Sequence, residues 1–175
     1  MSVPEFSRPV RLDAIGAEPR PLTIEAEAGE RAALARRFGL VAIKRLSADA
    51  RLVRKGAEIV ASGRIAAAVV QSCVASGEPV DAIVDEPFDL AFRPAPSEAR
   101  PDEEIELSES ELDVVFYEGG SIDLGEAVAE TMVLSLDPYP RAPGSEDALK
   151  AAGVKSEEES GPFGALAGLR DKMKK

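Results

Sequence analysis

A chain of 175 residues with 45% apolar side chains can bury one sizeable core, and its formal charge of −11 favours a water-facing surface. One cysteine, Cys73, and no histidine exclude an internal disulfide, a zinc site built from Cys and His of this chain alone, and any hydrolytic centre that needs a histidine base. The most apolar unbroken run, Ile65 to Val70, falls far short of the roughly 20 residues of a membrane span, and the opening MSVPEFSRPV carries no apolar leader, so the chain reads as cytoplasmic.

Residues 1–20 read as irregular, with Pro4, Pro9 and Pro19, apart from a short edge strand in RPVRL. PLTIEAEA alternates at Leu22, Ile24 and Ala26 and is predicted to be a strand. GERAALARRFGL follows as a helix, with Ala33, Leu34 and Phe38 on one face, Arg31, Arg36 and Arg37 off it, and Gly39 as its stop. From Leu40 the period changes to two. LVAIKRLSADARLVRK, EIVASGRIAAAVVQSCV and EPVDAIVDEPFDLAFRP, separated by turn signals at KGAE and SGEP, predict a three-stranded antiparallel meander. Gly63, inside the second of these strands, marks either a bulge or a close backbone approach.

PAPSEARPDEE predicts a mobile acidic loop near 94–104, IEL a short strand, and Asp113 to Tyr117 a further strand ending at a glycine turn. SIDLGEAVAETMVLSLDPYP then carries a helix with Asp123 as its cap. Glu126 stands where a capping-box partner would reach back to the Asp123 N–H. Leu124, Val128 and Met132 form the buried row. Val133, Leu134 and Leu136 make the last turn apolar nearly all round, so that end is expected to be buried. Glu130 falls opposite Leu124 and Val128. Glu126 and Glu130 therefore have structural readings that outweigh a catalytic acid pair, which would need environments that push their pKa values apart. The fold class is α+β: a mainly antiparallel, curved or barrel-like sheet with two or three helices. Residues 1–140 form the single domain, 141–161 a disordered acidic linker, and 162–175 a short amphipathic helix with Phe163, Leu166 and Leu169 on its stripe.

Charge is unevenly spread. Residues 1–64 carry 12 Lys/Arg against 8 Asp/Glu, residues 65–161 carry 5 against 23, and residues 162–175 carry 4 against 1. The basic candidates for a phosphate-facing surface are Arg36, Arg37, Lys44, Arg45, Arg51, Arg54, Lys55 and Arg64. No aromatic residues interleave them, which argues against a stacking platform for single-stranded RNA. No nucleotide-binding glycine loop or cofactor motif is present. Cys73, at the end of an apolar strand, reads as a small buried hydrophobe.

Two stretches, VVQSCVASGEPVDAIVDEPFDLAF and SIDLGEAVAETMVLSLDPYP, resemble the YceD family of large ribosomal RNA subunit accumulation proteins. The pattern rests on Cys73, Val80, Phe88, Leu90 and Phe92, then Ile122, Asp123, Leu124, Glu130, Leu134, Leu136, Pro138 and Pro140, and extends to the tail PFGALAGLRDKMKK. The resemblance implies a bacterial cytoplasmic protein, not an enzyme, that supports large-subunit ribosomal RNA accumulation. Its partners would be that RNA or its precursor particle and a basic ribosomal protein, with no cofactor. The alternative is an acidic holding chaperone or adaptor for a basic protein with no RNA contact. Many members carry a second cysteine three residues after the first and another pair beyond the prolines. Here Ser76 stands at the first of these places and RAPGSED holds none, so a metal or redox role does not carry over.

Overall fold

The computed structural model describes residues 4–96 and 113–154. Its chain divides into two compact units, Met1–Val70 with Asp81–Asp137, and Gln71–Val80 with Pro138–Lys175. In chain order the elements are β1 (Pro9–Arg11), a turn of 3-10 helix (Leu12–Ala14), β2 (Arg20–Glu25), α1 (Ala28–Arg37), β3 (Ala42–Lys55), β4 (Glu58–Ser72), β5 (Pro79–Pro94), β6 (Asp113–Tyr117), β7 (Ser121–Asp123), α2 (Leu124–Leu134) and α3 (Ser145–Ala151).

Five strands form one sheet in the order β2-β3-β4-β5-β6, and β1 pairs with β7 in a second, antiparallel sheet. The α+β class and the meander stand. The barrel-like closure does not, because a closed sheet must pair its first and last strands, and among the described residues β2 and β6 do not pair and stand as the edges. β6 also runs parallel to β5, with Leu90 opposite Asp113 and Pro94 opposite Tyr117. A parallel neighbour needs a crossover of a dozen or more residues, and the stretch 95–112 supplies that length.

Period-two alternation positions the core. Leu46, Ala48, Ala50 and Leu52 of β3, Ile59, Ala61, Ile65, Ala67 and Val69 of β4, and Val84, Phe88, Leu90 and Phe92 of β5 are all buried on one face. Leu34 of α1 and Leu124, Val128 and Met132 of α2 join them. A bulge between Ile43 and Arg45 leaves Lys44 outside the ladder, so Lys44 and Arg45 are both exposed. Gly63 is a close approach: a Cβ there would lie 2.0 Å from the Asp49 carbonyl oxygen and 2.9 Å from the Ala50 Cα.

Helix α1 ends where its sequence says, with Phe38 as C-cap and Gly39 at φ +67°. The end of α2 differs from expectation. Leu136 is buried, but Leu134 is 82% exposed. Leu134 continues the i, i+4, i+8 row of Glu126 and Glu130, two hundred degrees from Met132, so the helix period places it on the solvent face despite its apolar neighbours.

The second unit holds the turn between β4 and β5 and the segment from Pro138. Val74 N donates to Pro140 O at 2.9 Å. Within the stretch read as a linker, Ser145–Ala151 forms α3, with Glu146 and Asp147 in its first turn and Lys150 in its last, as the helix dipole favours. The short strand read in IEL, most of the acidic loop, and the terminal helix with Phe163, Leu166 and Leu169 lie outside the described residues.

Candidate functional site

Two sets of charged side chains compete for a functional reading. The first surrounds the start of α2. Asp123 caps it: Oδ1 accepts from Gly125 N at 3.1 Å and Glu126 N at 3.2 Å. The same carboxylate accepts from Arg8 N at 2.8 Å and from the Ser7 hydroxyl at 2.5 Å, so four donors converge on it. Gly125 admits this strap of chain, since a Cβ there would sit 2.2 Å from the Phe6 carbonyl oxygen. Phe6 is fully buried beneath it, worth about 2–3 kcal/mol by area. Arg8 then reaches α1, binding both oxygens of Glu30 at 2.7 and 2.8 Å and the Glu25 carbonyl at 2.9 Å. Glu30 in turn accepts from Glu27 N at 2.7 Å, closing the N-terminus of α1.

Glu126 does not complete a capping box. Its carboxylate turns to Arg37, at 2.6 Å, and Arg37 also meets Glu5 at 3.0 Å and Glu130 at 3.5 Å. A guanidinium with a fork of donors satisfies three carboxylates better than one backbone N–H would satisfy Glu126. Arg37 is consequently held in its charged form, first by Glu126 and then by Glu5. Glu5 is shifted below the usual carboxylate range, first by its own backbone N–H and then by Arg37, and Glu30 by Arg8. Glu126 and Glu130, four residues apart, thus share one arginine at the surface. Such an arrangement ties α2 to α1 and to Glu5.

The second set lies on the outer face of the five-stranded sheet. Lys44 on β3 reaches across β4 to Asp81 on β5 at 2.6 Å. Arg64 on β4 meets Asp85 on β5 at 2.5 Å and holds its carboxyl below the usual range. The crossing is open because β4 presents small outward residues, Ala66 and Ala68, opposite Ser47 and Arg45. Arg45, Arg51 and Lys55 stand on the same face of β3, exposed and without an ion pair among the described residues. A cavity of about 540 Å³ opens beside Arg51 over Gly63, lined also by Thr23, Asp49, Ser62 and Arg64.

Of the basic candidates, then, Arg37 and Lys44 are already engaged by carboxylates. Arg54 spends its donors on the Gly56 and Leu12 carbonyls, 3.0 and 3.2 Å away. Arg36 is exposed on α1. Arg45, Arg51 and Lys55 remain without an ion pair among the described residues, with the exposed Asp49 on the same strand face between Arg45 and Arg51. Leu124 is fully buried and Pro138 exposed.

Cys73, 3% exposed, belongs to the second unit. Its Sγ accepts from Ser76 N at 3.4 Å and Ala142 N at 3.3 Å. The Ser76 side chain, then the Ala142 N–H, hold the thiol down to about 6 against the opposing effect of burial. Among the described residues no group of three or more His, Cys, Asp or Glu side chains is placed to hold a metal ion. No helix among them is long and apolar enough to cross a membrane.

A family model described as "Large ribosomal RNA subunit accumulation protein YceD" matches residues 61–170, from β4 through α2 and beyond. No curated protein and no solved structure matches the chain.

Proposed function

The chain belongs to the YceD family, and from that premise we propose that it supports large-subunit ribosomal RNA accumulation by binding precursor RNA, with Arg45, Arg51 and Lys55 gripping phosphates and no bond made or broken. The observation that carries this reading is the row itself: three cations on one exposed strand face, unpaired among the described residues while their neighbours Lys44 and Arg64 are paired. The outward positions of β3 and β4 hold no aromatic side chain, so the row suits a sugar–phosphate backbone and offers no platform for stacked bases. Ser62 and the space over Gly63 give a phosphate beside Arg51 room and one hydroxyl partner, while the Thr23 hydroxyl is spent on Asp49, which lines the same space.

Phosphate contacts release counterions, so affinity for a structured fragment of large-subunit RNA falls steeply as salt rises. Reversing Arg45, Arg51 and Lys55 together to Glu is expected to make the slope of log affinity against log salt shallower by about 3. Lys44→Gln, whose charge Asp81 already meets, changes the slope by less than about 1. An unchanged slope in the triple variant, with the fold intact by circular dichroism, refutes the row as the RNA contact.

A further inference from the structure

Strand β5 spans Pro79–Pro94, yet β6 pairs only with Leu90–Pro94. Upstream of Leu90 the outer edge of β5 has no strand beside it among the described residues, while β4 covers the other edge. In the stretch Asp81–Glu86 the backbone N–H and C=O groups that point away from β4 therefore have no strand partner among the described residues, and the stretch is bounded by Pro87, which cannot donate. Ile83 is 82% exposed there, between Asp81 and Asp85 on the same face, and Glu86 is exposed on the other. Asp89 extends the acidic run toward β6. The opposite edge of the sheet, β2, exposes no large apolar side chain.

We propose that the Asp81–Glu86 edge of β5 is a docking site for an extended, lysine- or arginine-rich protein segment that adds to the sheet as a strand. Charge complementarity selects the occupant. Four carboxylates, Asp81, Asp85, Glu86 and Asp89, line this run; among the described residues Lys44 pairs with Asp81 and Arg64 with Asp85, and Glu86 and Asp89 have no ion pair. The edge repels a second copy of its own acidic strand and admits a basic one, so the charges that block self-pairing also choose the partner. Backbone pairing supplies the shared register, and Ile83 supplies the apolar contact for one outward side chain of the guest. The site is distinct from the cation row of β3 and does not depend on the RNA contact.

The test uses the full chain and a synthetic peptide of about twelve residues repeating Lys-Thr-Val-Thr, which places Lys and Val on one strand face and Thr on the other. Controls are the matching Glu-Thr-Val-Thr peptide and an oligolysine of equal charge. The Lys-Thr-Val-Thr peptide is expected to slow amide hydrogen exchange within Ala82–Glu86 by about tenfold or more. Ile83→Lys, a change at an 82% exposed position, is expected to weaken its binding about tenfold. Oligolysine binding equally well with no amide slowed reduces the effect to bulk attraction and overturns the proposal. So does equal binding of the Glu peptide. Protection, already present in the free chain, of those Ala82–Glu86 amides that point away from β4 also overturns it, because the outer edge is then covered by the chain's own tail or by a second copy.

Discussion

The strap around Arg8, Arg37 and Asp123 and the outer row of β3 contain the same residue types, and they put them to opposite uses. In the strap every cation meets a carboxylate: Arg8 meets Glu30, and Arg37 meets Glu5, Glu126 and Glu130. Those side chains lie between segments far apart in sequence, so pairing them fixes how residues 5–8, α1 and α2 sit together. On β3 the cations Lys44, Arg45, Arg51 and Lys55 stand on an exposed face, where Lys44 forms an ion pair with Asp81 two strands away and Arg45 acts on Asp85 without forming one. The difference teaches that charge count does not measure available charge. A cation between elements becomes part of the fold, whereas on the open strand face Arg45, Arg51 and Lys55 form no ion pair among the described residues.

The sharpest break of this comparison comes at the strap's tightest point. Gly125→Ala drives a Cβ to within 2.2 Å of the Phe6 carbonyl, and the strap must shift or α2 must move. A loss of about 3 kcal/mol is expected, read from the urea midpoint. The same exchange at Gly29 of α1 meets nothing within 4 Å and is expected to stabilise by about 0.5 kcal/mol, by restricting the unfolded chain. Equal effects at the two glycines would show that the strap is not seated on α2. Next in size, Arg37→Met strands three carboxylates around an apolar stem. Because the site is about one-third exposed, solvent screens much of the penalty, and a loss of about 1 kcal/mol is expected. Adding Glu126→Gln and Glu130→Gln recovers part of it, a coupling that a double-mutant cycle reads directly.

Much of the fold was legible because period and punctuation agreed. The β3–β4–β5 meander follows from alternation and two glycine turns, the strand Asp113–Tyr117 from its composition, and Asp123 from its place before an apolar helix. The strap was not legible. A single Phe6 between prolines carries no period, although it buries completely, and the roles of Ser7 and Arg8 depend on partners more than a hundred and about twenty residues away. Leu134 misled for a different reason. Its composition said buried, while its phase, shared with Glu126 and Glu130, said exposed, and phase decided. In the candidate site, residue type singled out the basic strand, but only the structure separates Lys44, which Asp81 holds, from Arg45 and Lys55.

Acid sharpens the comparison further. Glu30 is depressed chiefly by its hydrogen bonds from Arg8, and Asp85 chiefly by Arg64. A carboxyl with a lowered folded pKa holds fewer protons folded than unfolded. Its contribution is therefore complete above the ordinary carboxylate value of about 4.3 and is lost as pH falls through the folded value. Glu30→Gln should flatten the fall in stability below about pH 4.3 at both low and high salt, because the bidentate pair is largely shielded from ions. Arg64→Gln should flatten it only at low salt, since Arg64 and Asp85 are both mostly exposed. A flattening by Glu30→Gln that vanishes in high salt would put the strap and the open face on the same footing.

The smallest effect is the most discriminating. Arg51→Gln removes a cation from a face where it has no ion pair among the described residues, and its aliphatic stem covers little of the core. Stability should stay within about 0.5 kcal/mol of the parent. If the urea midpoint instead falls as far as it does for Arg37→Met, then Arg51 is tied into the fold as Arg37 is, and it is not free to meet a phosphate. The division between structural and available cations would then fail at the residue where it matters most, and the RNA contact would have to be sought at Arg36 or elsewhere on the basic first third of the chain.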